Sequence, residues 1–152
     1  MLTQTVMNDN GVELRETSTP SRYLPAIARI LMGLVFFVFG LNGFVPFIPM
    51  PKTPPPPGAL ALFEAFLKTG YFMHMVSGTQ LLVGVLLLAN RFVPLALALI
   101  APVIVNIIAY HVFLAPASIG PGIVVTVLEV YLAWAYRDAF GPMLSARTLP
   151  TE

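Results

Sequence analysis

The stretch FVPLALALIAPVIVNIIAYHVF, Phe92 to Phe113, decides the architecture. At 1.5 Å per residue, a helix over these 22 residues covers about 33 Å, enough to cross the roughly 30 Å hydrocarbon core of a bilayer. No charged side chain interrupts it, and its polar groups are confined to Asn106, Tyr110 and His111. In lipid, such groups either bond neighbouring helices together or belong to a site.

The whole chain has the same character. Of 152 residues, 57% are hydrophobic and only 10% charged, and the mean hydropathy is +0.84, well above that of a soluble domain. The sequence therefore reads as an integral membrane protein. The eight Lys and Arg residues are dispersed and the net charge is +1, so there is no basic patch for nucleic acid. Cysteine is absent, which removes disulfides, thiolate metal sites and CxxC redox chemistry from this chain. No cofactor is encoded in the chain itself, so redox chemistry would need a borrowed one. No nucleotide fingerprint, P-loop, nucleophile elbow or zinc-binding HExxH occurs either.

Three further segments are apolar enough to span: about Ile27 to Phe47, Tyr71 to Ala89 and Ile119 to Tyr136. The turns ANRF and LAPAS are short, so consecutive spans pack antiparallel as neighbours. Between the first and second spans lies PFIPMPKTPPPPG, Pro46 to Gly58, whose seven prolines withhold backbone donors and favour an extended course. ALALFEAFLKTG follows as a short amphipathic helix, with Leu60, Leu62, Phe63, Phe66 and Leu67 on one broad face and Glu64 and Lys68 opposite. It lies in the membrane interface or caps the mouth of the bundle.

The expected fold is an all-α integral membrane protein, an up-down four-transmembrane-helix bundle with a short amphipathic helix after an outer Pro-rich loop. Residues 1–21 read as a flexible cytoplasmic tail, 22–141 as the four-helix membrane domain and 142–152 as a short cytoplasmic tail. Arg15, Arg22, Arg29, Arg91, Arg137 and Arg147 fall on one side and only Lys52 and Lys68 on the other, which places both termini in the cytoplasm. Arg29, in the first turn of its expected span, can snorkel to the cytoplasmic interface.

Small and polar residues mark the inward faces. Gly33, Gly40 and Gly43 line the first span, while Asn42 is turned away from them. Gly70, His74, Ser77, Gln80 and Gly84 line the second, and Gly122, Thr126, Glu129, Ala133 and Tyr136 the fourth. In the third, Pro102, Asn106 and Tyr110 align, whereas His111 stands about 140° from Asn106 at 100° per residue. Pro102 can kink that helix and open space beside Asn106. Counting the rise puts Glu129 and Gln80 near the midplane and Asn106, Asn42, His74 and His111 nearer the outer surface. A pocket opening outward follows.

Each polar residue has a plain structural use. Asn42, Gln80 and Asn106 can bond helices together at about 0.6 kcal/mol each, and His74 and His111 can meet water at the interface. As axial ligands of a b-type haem, these histidines would show a paired pattern that is missing here. Glu129 is different, because an ionised side chain near the helix centre costs about 2.5–3.5 kcal/mol, more than one such bond returns. It is tolerated there if protonated or lining a wet cavity, and either state suits proton exchange. Glu129 is thus the candidate catalytic residue, as a proton relay. Gln80, Asn106, Tyr110, His111, Asn42 and His74 are the ligand-binding candidates. Phe36, Phe37, Phe39, Phe44, Phe47, Tyr131 and Trp134 could wall an apolar pocket.

ARILMGLVFFVFGLNGF, GTQLLVGVLLLANRFVPLAL, APVIVNIIAYHVFLAP and VLEVYLAWAYR together resemble the DoxX family of small four-span bacterial membrane proteins, over about Arg22 to Arg137. Asn106, His111 and Glu129 match recurrent polar positions of such sequences. The resemblance implies a membrane subunit of a quinone-linked oxidoreductase in the bacterial cytoplasmic membrane, with quinone as cofactor. A redox protein partner would supply electrons, and homo-oligomers are compatible with the same pattern. Two rival readings are a non-enzymatic scaffold or accessory subunit and a carrier of small solutes or protons through Glu129.

Overall fold

Glycine sets the closest approach in the molecule. In a computed structural model, which describes residues 5–7, 13–15, 19–49 and 53–144, helix α1 (Thr19–Asn42) and helix α3 (Phe72–Leu88) pack along a seam that leaves no room for side chains at two points. A Cβ at Gly40 would stand 2.7 Å from Leu81 Cα, and one at Gly84 2.6 Å from Phe37 Cα. Gly33 meets Leu87 and Leu88, and Gly43 meets Ser77, so the expected glycine face is the α3-facing side and the two helices run antiparallel. Met32, Phe36, Val83 and Leu87 fill the seam and are shut off from solvent.

Helix α4 (Val93–Phe113) packs on α3 and on α5 (Gly120–Ala135), and α5 returns to α1, closing a ring of four helices. Ile100, Leu97, Ala96 and Leu132 bring α4 and α5 into the same core. The turn between α3 and α4 forms a Schellman closure: Arg91 N–H donates to Leu86 O at 3.0 Å and Asn90 N–H to Leu87 O at 3.2 Å. Asn90 takes the left-handed conformation this needs, with φ of 54°. α4 runs unbroken through Pro102.

Length qualifies the spans. Tyr23–Asn42 (20 residues) and Val93–Phe113 (21 residues) are long and apolar enough to cross a membrane. Helix α2 (Pro57–Lys68) and α3 meet at 92°, and counted as one broken span they make a third. α5 is apolar but only 16 residues long. Large apolar side chains such as Leu31, Phe39, Val105, Val127, Val130 and Trp134 are exposed around the outside, as lipid contact requires. The protein is membrane-embedded and helical, with two to three candidate spanning helices.

Secondary structure begins before the first expected span. Within the tail region, β1 (Thr5–Met7) and β2 (Glu13–Arg15) pair antiparallel, Val6 opposite Leu14. α1 then begins at Thr19, earlier than expected, with Pro20 in the first turn where its missing N–H costs nothing. Arg29 therefore lies well inside the helix rather than in its first turn. It does not snorkel: it is only 8% exposed and Nη1 donates to Leu87 O. The end of α3, with its partial negative charge, draws the cation inward. The expectations for Lys52, Arg147 and residues 145–152 lie outside the described residues.

Candidate functional site

The elbow between α2 and α3 builds the site. Thr69 Oγ1 donates to Phe66 O at 2.7 Å and accepts from Phe72 N–H at 3.1 Å, binding the end of one helix to the start of the next. Gly70, at φ of +76°, supplies the left-handed residue that turns the chain. Phe66 and Phe72 stack across the corner with ring centroids 4.3 Å apart. α2 is thereby folded over toward α4, and Gly58 at its start sits beside the Leu114 side chain just past the end of α4. The helix thus lies along the α3–α4 groove, as capping requires.

Beneath α2 lies a cavity of about 550 Å³ between α2, α3 and α4. Phe63, Phe66, Phe72, Val76 and Ile107 make its lining mainly apolar, and four polar candidates reach it: Gln80, Asn106, Tyr110 and His111. His111 was expected to look elsewhere, on account of its angle to Asn106. It lines the same cavity because that cavity is walled by three helices and reaches the end of α4, where α2, set at 92° to α3, comes beside it.

Each polar group is differently held. Asn106 Nδ2 donates to Pro102 O of its own helix at 2.8 Å, so this amide is not a bond between helices. Tyr110 meets the His111 ring edge-on, centroids 5.2 Å apart. His111 Nδ1 lies 3.1 Å from Ser118 Oγ in the 3-10 turn Pro116–Ser118, and the other side of the ring rests on Gly122 of α5. Thr79, which the sequence reading passed over, also faces the cavity, with Oγ1 donating to Met75 O at 3.0 Å.

The remaining candidates stand apart. Asn42 Oδ1 accepts from Phe47 N–H at 2.9 Å and Ile48 N–H at 2.8 Å, so it closes the end of α1 onto the following loop. His74 is exposed and tilts against Phe44, ring centroids 5.9 Å apart, outside the cavity that His111 lines. Glu129 is half-buried on α5, and its Oε2 is enclosed with no hydrogen-bond partner among the described residues. It does not line the cavity. Nor do the aromatics named as wall candidates: Phe36 belongs to the core, and Phe39, Phe44, Phe47 and Trp134 are exposed. The aromatic wall comes from the amphipathic α2 and the first turn of α3. The apolar face of α2 carried that signal. Among the described residues no three His, Cys, Asp or Glu side chains converge as a metal would need.

Fold and site together define a membrane-embedded helical protein with an apolar cavity that carries polar groups from α3 and α4 and lies beside a helix set at 92° to α3. Among known proteins, no family model, curated sequence or solved structure matches the chain.

Proposed function

We propose that this protein is the membrane subunit of a quinone-linked oxidoreductase, and that the cavity under α2 receives the head of a lipophilic ring compound of the quinone class. The carrying observation is the cavity itself: about 550 Å³, mostly apolar, with Gln80, Asn106, Tyr110 and His111 along it. Its size falls within the usual range for small-molecule sites, and the pairing of apolar walls with a few placed polar groups is what such sites use to orient a ligand. The resemblance to DoxX proteins supplies the quinone; the cavity supplies a place for it.

In this reading four helices cross the bacterial cytoplasmic membrane in up-down order with both termini cytoplasmic. α3 and α5, at 17 and 16 residues, are accommodated by local thinning of the bilayer. The cavity then opens in the outer half, near the headgroups. Electrons come from a protein partner, because the chain carries no thiolate chemistry of its own. The proton-relay role expected of Glu129 has no cavity contact behind it, and binding is assigned to α3 and α4.

A photoreactive short-chain quinone added to the full-length protein in lipid nanodiscs tests this. Labelling of peptides covering 72–80 and 102–111, suppressed by excess unlabelled quinone, is the expected result. Labelling confined to α5, or none that competes, would remove the assignment.

A further inference from the structure

We propose that His111 selects the ligand of this cavity by accepting a hydrogen bond, so that the favoured ligand carries a ring hydroxyl, as phenols and hydroquinones do, and that Ser118 is the positioning residue that fixes the required tautomer. This rests on the reading of the cavity as a site for a lipophilic ring compound, and adds to it which chemical form is recognised.

Ser118 Oγ stands 3.1 Å from Ala115 O and 3.1 Å from His111 Nδ1. A serine hydroxyl has one proton and two lone pairs. Given to the carbonyl three residues back, the local serine-to-backbone bond, that proton leaves the oxygen to accept from His111. Nδ1 then carries the hydrogen, and in a neutral imidazole Nε2 is left as the acceptor.

The rest of the ring is held as well. Its Cδ2 edge lies against Gly122, where a Cβ would come within 3.0 Å. Tyr110 meets it edge-on with an interplanar angle of 82°. Ser118 holds the ring at Nδ1 and Gly122 bears on Cδ2 and Cγ; in the proposal Nε2 is the ring atom offered to the cavity that His111 lines. Nε2 makes no hydrogen bond among the described residues. Asn106 adds to the bias: one amide hydrogen is spent on Pro102 O, and among the described residues Oδ1 stays open as a second acceptor.

A ligand oxygen without a proton cannot pair with Nε2, and between apolar walls an acceptor left unpaired is costly. A hydroxyl pairs with it directly. The preference is one of binding alone and involves no electron transfer.

The experiment uses the full chain in nanodiscs and two probes kept under anaerobic conditions: a short-chain prenylated hydroquinone and its dimethyl ether. One hydrogen bond of ordinary net strength corresponds to a preference of about fivefold to tenfold, and the hydroquinone is expected to bind tighter than the ether by that factor. His111→Phe should lower the ratio to about twofold or less, the remainder being the share of Asn106 Oδ1, while the ether still binds. Ser118→Ala should lower the ratio in part, as both tautomers become populated. Nitrogen-15 spectra of wild-type His111 should show a protonated Nδ1 and an unprotonated Nε2, a readout that holds whether or not the variants fold. Equal binding of both probes, or the opposite tautomer, overturns the proposal and leaves the cavity reading standing. If neither probe binds, the cavity reading itself fails and takes this inference with it.

Discussion

Replacing Gly40 by alanine tests the seam on which the fold depends. The new methyl would stand 2.7 Å from Leu81 Cα, against the 3.5 Å or more that carbon contacts prefer. α1 and α3 would have to part by about 1 Å, and a gap of that size forfeits a quarter to half of the dispersion well at the contacts it opens. Met32, Phe36, Val83 and Leu87 sit in that seam with no exposure to spare. Overpacking of this kind typically costs about 1–3 kcal/mol, and alanine returns close to 1 kcal/mol in helix propensity. A net loss of up to about 2 kcal/mol is expected. Gly78→Ala is the matched control, because a Cβ there meets nothing nearer than Phe44 Cζ at 3.8 Å. It should be neutral or more stable by up to about 1 kcal/mol. Reversible unfolding in mixed micelles, followed by circular dichroism, gives both values. Gly40→Ala matching or exceeding Gly78→Ala in stability would refute the packing described for the seam.

Asn42→Ala removes the acceptor for Phe47 and Ile48 N–H. Both amides should exchange hydrogen faster, with a loss of about 1 kcal/mol in stability. Gly70→Ala forces a side chain into the left-handed region at φ of +76°, costing about 1–2 kcal/mol and loosening α2, visible as weaker quinone labelling. Glu129→Leu removes a buried oxygen that has no partner among the described residues, and stability should rise by about 1–3 kcal/mol; a fall would show that the carboxyl is satisfied in the membrane. Glu129→Gln should leave hydroquinone affinity unchanged, since Glu129 does not line the cavity.

The glycines of α1 and the apolar face of α2 were legible because both depend on periodicity, which a sequence displays directly. Gly33, Gly40 and Gly43 fall on one side of a helix whatever that side packs against. The uses of the polar residues were not. A hydropathy pattern shows that Asn42 and Asn106 need partners, yet not whether those lie on another helix or a few residues away on the same chain. Both found them locally, in the loop after α1 and at Pro102 O. His111 lines the cavity despite its azimuth, because an angle about one helix axis says nothing of a third helix folded beside its end. Glu129 drew the eye by its cost in lipid, and cost alone does not place a side chain in a cavity.

Arg29 carries a consequence for how the chain is made. Its hydrogen bond reaches Leu87 O, separated from it by 58 positions in sequence, so the guanidinium leaves the ribosome long before its acceptor does. Until α3 arrives, α1 holds a cation in lipid at a cost of up to about 2.5–3.5 kcal/mol, relieved by sliding toward the nearer headgroup layer. The first helix thus enters the bilayer in a provisional position and is drawn to its final depth only when the second hydrophobic hairpin half docks. Biogenesis intermediates halted before Leu87 should sit shallower, and be easier to extract, than those halted after it.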